Sequence, residues 1–188
     1  FNVLFASVVF GNGAFLAAQG TFLFRSIDGA SWTPVERPPR NLRFGTLLFV
    51  KDQFLVVGSD WLSISPDGIT WVAANPGTPA VLRTAATDGT NIIVAGDAVI
   101  TSDTGQAWAT LVESYCSPVA VHAQGSGIAV FANSNPDFST FTSTNGSSWN
   151  RRRTPLKTVI QTVRHASNLF FALPQGRPGM YVSDDGLA

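Results

Sequence analysis

The heptapeptide Ser-x-Asp-Gly-x-x-Trp returns along this chain at near-constant intervals, and self-similarity at that period requires an architecture of stacked, equivalent units. One copy is Ser26-Ile27-Asp28-Gly29-Ala30-Ser31-Trp32, others occupy 65–71, 102–108 and 143–149, and a fifth begins at Ser183 and reaches Asp185 and Gly186. Residues 2–32 and 41–71 align without a gap, so the repeat extends well beyond the heptapeptide.

Upstream of each copy lies a short apolar run rich in β-formers: residues 15–18, 54–57, 92–95, 128–131 and 169–172. Runs this short, bounded by turn residues, predict buried strands rather than helices. Turn signals such as Gly11-Asn12-Gly13, Asp88-Gly89 and Gly125-Ser126-Gly127 precede most of them, with another extended segment before that. Such pairs favour hairpins because their residues tolerate positive φ. Each unit therefore reads as four antiparallel strands, A to D, with a hairpin joining A to B and the heptapeptide joining C to D. That is one blade of a β-propeller, and the expected fold is all-β.

The heptapeptide has a local physical purpose. Gly29, Gly68, Gly105 and Gly146 let the chain turn sharply between C and D. Asp28, Asp67 and Asp185, with Asn145 at the matching place, accept hydrogen bonds from turn amides. Ser26, Ser65, Ser102, Ser143 and Ser183 open the copies. Trp32, Trp71, Trp108 and Trp149 each supply an apolar body to wedge between blades, so truncating Trp71 to Ala is expected to cost roughly 3 to 5 kcal/mol.

The heptapeptide resembles the Asp-box, or BNR, repeat of sialidase-like propellers, over nearly the whole chain. With its Gly-Asn-Gly turns and Phe-Leu-Ala-Ala strands it looks most like exported bacterial Asp-box propellers, a group that includes photosystem-assembly-factor-like proteins, sortilin-type receptors and glycoside hydrolases. The resemblance implies one propeller over 1–188, with blades near 1–39, 40–77, 78–114, 115–154 and an incomplete 155–188, in the periplasm or cell exterior. Three departures stand out. The copies have one residue fewer between Ser and Trp than the sialidase form, the third has Thr104 in place of Asp, and the Arg-Ile-Pro motif and arginine triad of sialidases have no counterpart here.

Composition narrows the partners. With 45% hydrophobic and 13% charged residues the chain is too apolar for disorder, and its charged fraction is about half the ordinary value of roughly 25%. Lys plus Arg number 12 and Asp plus Glu 12, so the overall basic excess of a nucleic-acid binder is absent. Cys116 is the single cysteine, which excludes an internal disulfide. No apolar run reaches the 18 or more residues that read as a membrane span. The chain opens on Phe1 and stops inside a repeat, which reads as a processed or excerpted segment. A ring of these units either closes imperfectly at five or belongs to a larger propeller.

Catalytic constellations are sparse. Glu36 and Glu113 are the only glutamates, and a glycosidase needs two facing carboxylates. Glu113 with Tyr115 is the nearest imitation of a Tyr nucleophile and its base. His122 and His165 have no partner at metal-ligand spacing, Cys116 has no evident His for nucleophilic work, and Asn145-Gly146-Ser147 is a glycosylation sequon that the fourth turn already explains. No catalytic residue, metal or cofactor is expected.

Charge placed on the blade topology is more informative. D-to-A and B-to-C connections share one side of the disk, while A-to-B and C-to-D turns share the other. The first side is expected to collect Arg37, Arg40, Arg43, Arg83, Arg151, Arg152, Arg153, Lys157 and Arg177 against Glu36, Asp60, Asp97, Glu113 and Asp137. The second collects Lys51 against Asp28, Asp52, Asp67, Asp88, Asp103, Asp184 and Asp185. Trp61, at a B-to-C connection, is read either as a stacking platform on the first side or as a shield for a blade edge. The expected function is a non-catalytic scaffold that engages an acidic protein, a membrane-complex subunit or an anionic glycan through the Arg-rich side. The alternative is a sialidase-type glycoside hydrolase with part of its site outside this segment.

Overall fold

The structure is a computed structural model of the 188-residue chain; it describes residues 7–36, 44–59, 61–79, 81–87, 89–113, 118–124, 127–133, 138–143, 148, 150–153, 158, 160–166, 169–174 and 176–184. Among the described residues there are strands and turns and no helix. The first antiparallel sheet contains β1 (Ser7–Gly11), β2 (Ala14–Gln19), β3 (Phe22–Ser26) and β4 (Thr33–Val35) in that order. The second contains β5 (Phe44–Val50), β6 (Gln53–Gly58), β7 (Leu62–Ser65) and β8 (Val72–Ala74). The third contains β9 (Leu82–Thr87), β10 (Ile92–Gly96), β11 (Ala98–Ser102) and β12 (Ala109–Glu113). The fourth contains β13 (Pro118–Gln124), β14 (Gly127–Asn133), β15 (Phe138–Ser143) and β16 (Asn150–Arg153), and the fifth holds three strands, β17 (Ile160–Ala166), β18 (Leu169–Pro174) and β19 (Tyr181–Ser183).

Every sheet is a meander of sequence neighbours, as expected for propeller blades. The first strands touch in series, β1 to β5, β5 to β9, β9 to β13 and β13 to β17, which puts strand A of each blade innermost. Among the described residues no comparable contact joins β17 to β1. The described residues therefore form an arc of four whole blades and a three-stranded fifth.

The core lies between sheets, which explains why the second strand of a blade reads as an unbroken apolar run. The second strand of blade 2 sends alternate side chains into two different interfaces, so both of its faces are buried. Leu16, Ala18 and Leu23 of blade 1 meet Leu47, Phe54, Val56 and Trp61 of blade 2, with Phe49 and Trp71 packed against them. Leu55, Val57, Leu62 and Ile64 leave the other face of blade 2 to meet Leu82, Ile92, Val94 and Ile100 of blade 3. Gly11 is part of this fit: a Cβ there would overlap the Phe49 ring.

The heptapeptide turns are built as their residue types require. In the first, the Ser26 hydroxyl donates to Asp28 Oδ1 at 2.8 Å and accepts the Gly29 amide at 2.9 Å, while Asp28 Oδ1 accepts the amides of Ala30 and Ser31 at 2.8 and 2.7 Å. The second repeats this with Ser65, Asp67, Gly68, Ile69 and Thr70. Gly29, Gly68 and Gly105 have φ of 75°, 73° and 80°, in the left-handed region. In the third turn the Thr104 hydroxyl accepts only the Gln106 amide, at 3.3 Å, although Gly105 still donates to Ser102 at 2.8 Å. Ser26, Ser65, Ser102 and Ser143 are all buried. Asn145, Gly146, Trp149, Asp185 and Gly186 lie outside the described residues.

The tryptophans correct one expectation. Trp32, Trp71 and Trp108 are half-buried rather than enclosed. The indoles of Trp32 and Trp108 donate back to Gly29 O and Gly105 O at 3.2 and 3.1 Å, closing their own turns. Trp71 and Trp108 still pack against the inter-blade clusters, but half-burial sets their truncation cost below that of an enclosed Trp.

Candidate binding face

Antiparallel meanders place the A–B hairpins and the heptapeptide turns on one side of the arc, and the B–C and D–A connections on the other.

On the hairpin side, side chains of one blade donate to main-chain carbonyls of the next. Asn12 Nδ2 reaches Asp52 O and Pro66 O, both at 2.9 Å, and Arg25 Nε reaches Asp67 O at 3.1 Å. Gln53 Nε2 repeats the contact one blade on, with Thr104 O at 2.7 Å. These donors were not predicted as inter-blade ties. Asn12 reads locally as a hairpin residue, and Arg25 and Gln53 carry no motif; the only signal is a donor near the C-to-D corner or the hairpin.

Two acid groups on this side, Asp28 and Asp67, are also engaged. Main-chain amides of Ser31 and Ala30, and the Ser26 hydroxyl, hold the Asp28 carboxyl well below the ordinary carboxylate range. Asp67 is lowered for the same reason, chiefly by the amides of Thr70 and Ile69. These aspartates are turn components that stay ionised, so the negative charge of this side follows from its architecture.

On the opposite side the inter-blade ties are mixed: the Leu82 amide donates to Ser59 O at 2.5 Å, the Thr46 hydroxyl to Arg83 O at 3.4 Å and the Leu47 amide to the Ser7 hydroxyl oxygen at 3.4 Å. Arg83, on β9, forms an ion pair with Asp97 of the following B–C connection at 3.3 Å. Both side chains are substantially exposed, so the pair contributes about 0 to 1 kcal/mol and partly offsets the charge of Arg83. Arg177 is exposed in the B–C connection of blade 5.

Arg151, Arg152 and Arg153 correct another expectation. They lie within β16, opposite Phe141, Thr140 and Ser139 of β15, and not in a loop. β16 is the outermost strand of its sheet, so the three occupy the rim of the arc, with Arg153 at the end nearest the B–C side. Arg37, Arg40, Arg43 and Lys157 lie outside the described residues.

Trp61 corrects the stacking-platform reading. Its side chain is 4% exposed and belongs to the core between blades 1 and 2. The indole lies over Gly58, where a Cβ would overlap it, and the Gly58 amide donates to Trp61 O at 2.9 Å. It shields a blade edge and offers no face to a ligand.

Glu113 ends β12, His122 is on β13 and His165 on β17, while Tyr115 and Cys116 fall outside the described residues. Among the described residues no group of three His, Cys, Asp or Glu gathers to hold a metal, and no helix is long and apolar enough to cross a membrane.

No protein-family model matches the chain, and no curated protein matches it by sequence. Solved structures do. YCF48 from Cyanidioschyzon merolae superposes with a TM-score of 0.67 at 18% identity, covering 93% of this chain and 64% of that one. YCF48 bound to a D1 peptide gives 0.70 at 15% identity, covering 97% and 64%. Virginiamycin B lyase from Staphylococcus aureus gives 0.75 at 12% identity, covering 92% and 64%. The class is thus β-propeller, and this chain spans 64% of the length of each of these three.

Proposed function

We propose that this chain is a protein-binding scaffold propeller whose B–C and D–A side, with the adjoining rim, receives an acidic partner. The observation that carries this reading is the unequal charge of the two sides. On the hairpin side Arg25 and Gln53 donate to the next blade, and Asp28 and Asp67 are committed to their own turns. The other side carries Arg83 and Arg177, and the adjoining rim carries the arginines of β16. Positive side chains on one side and structural carboxylates on the other give an oriented field that steers an acidic surface to the arginines and weakens with salt.

The fold likeness to YCF48 bound to a D1 peptide supports a polypeptide partner, including a membrane-complex subunit, over an anionic glycan. In this reading the heptapeptide is a shortened Asp-box and the protein works in the periplasm or outside the cell. The test is co-purification from the native source at low and at physiological salt. A partner that is retained by the unaltered chain and lost on Arg151→Ser, Arg152→Ser, Arg153→Ser triple substitution supports the reading. Retention unchanged by the triple variant and by Arg177→Ser, or turnover of sialosides abolished by Glu113→Gln, overturns it.

A further inference from the structure

The two ends of the arc present the two halves of an inter-blade interface, both uncovered. Register makes the comparison residue by residue. In blade 2 the face turned to blade 1 carries Leu47 and Trp61, each 4% exposed, and the edge-on Phe49–Phe54 pair with centroids 4.9 Å apart. The matching positions of blade 1 are Val8, Phe22, Phe10 and Phe15. Phe10 and Phe15 form the same aromatic pair, at 4.6 Å, yet Val8, Phe10 and Phe22 are 51%, 56% and 59% exposed.

The far end repeats the pattern. In blade 2 the face turned to blade 3 carries Val57, Leu62 and Ile64, which are 0%, 0% and 6% exposed. Pairing to the second strand makes Leu173, Met180 and Val182 their counterparts in blade 5. Leu173, Met180 and Val182 are 42%, 52% and 48% exposed, and β19 lies at the edge of a three-stranded sheet. Apolar clusters of this kind on a soluble surface mark a contact face.

We infer that both ends are docking faces for one occupant, a segment of about two further four-stranded blades of this same repeat, which closes the arc into a ring. The existing interfaces argue for the kind of occupant, because the leading face of blade 1 and the trailing face of blade 5 match, in register and residue type, faces already buried between blades. The comparison structures argue for its size. The arc covers 64% of their length, so rings of that size leave room for roughly two blades, and a complete second copy with five would not fit the gap.

The sequence allows a direct test, since residues 183–188 are the first six of the heptapeptide and Trp32 is its seventh. A chain continued after Ala188 with a copy of residues 32–114 receives a fourth strand for blade 5 and two further blades. A second version continues with residues 71–154. Hydrogen exchange on the 188-residue chain and on both extensions reads the result. At least one extension is expected to be monomeric and to slow exchange in β1 and β19 by about tenfold or more. Phe22→Asp is expected to leave the melting temperature of the 188-residue chain unchanged and to lower that of the closed version. If neither extension protects β1 and β19, the inference fails. It fails equally if the 188-residue chain alone forms a discrete dimer that protects both.

Discussion

Trp61 lies against Gly58 so closely that no β-carbon fits between them, and the same two residues share a main-chain hydrogen bond of 2.9 Å. Gly58→Ala must displace an enclosed indole and is expected to cost about 1 to 3 kcal/mol. Trp61→Ala is expected to cost about 3 to 5 kcal/mol, and Trp71→Ala clearly less, because Trp71 is only half-buried. Denaturant melts of the three variants check this order.

The third turn holds its amides with a threonine hydroxyl where the first two use a carboxylate that accepts two amides at 2.7 to 2.8 Å. Thr104→Asp restores the charged acceptor and is expected to stabilise the chain by about 1 kcal/mol. A rise in the denaturant midpoint at neutral pH, with unchanged slope, is the measurement.

Asp28 and Asp67 have carboxyls lowered in the folded state by turn amides. Groups with depressed folded pKa contribute stability that is complete above the unfolded carboxylate value, near pH 4, and is lost as pH falls through the folded value. The denaturant midpoint is therefore expected to decline from about pH 5 downward. In the Asp28→Asn, Asp67→Asn double variant the midpoint starts lower at neutral pH and declines less on acidification.

Lys51 and Asp52 turn the A–B hairpin of blade 2 with φ of 51° and 57°, a conformation that Lys avoids and that Asp tolerates less readily than Gly. Lys51→Asn with Asp52→Gly is expected to raise stability by about 1 kcal/mol, and the Asp52 carbonyl that accepts Asn12 remains in place. Thermal unfolding of the double variant decides it.

Strand order was legible in the sequence because the blades repeat a local code: a tight turn such as Gly11-Asn12-Gly13 before a continuous apolar second strand, and a Ser-x-x-Gly corner. The fate of Trp61 was not, since a Trp at a connection reads the same whether it faces water or folds back over a glycine three residues earlier. Arg151 to Arg153 were misplaced for a related reason. Three charges in a row suggest a loop, yet the outermost strand of a blade meets solvent along its free edge and accepts them. Asn12, Arg25 and Gln53 were invisible as inter-blade ties because their acceptors lie 40 to 54 residues away and are carbonyls, which leave no mark on residue type.

That last property reaches beyond stability. Arg25 and Gln53 address the third position of the next corner through its carbonyl, and the side chain there is Asp67 in one case and Thr104 in the other. A contact indifferent to the acceptor's identity lets each corner diverge without uncoupling from its neighbour. Units joined this way are interchangeable parts: duplication or reordering of whole blades preserves the join, and the exposed connections on the opposite side remain free to specialise one by one.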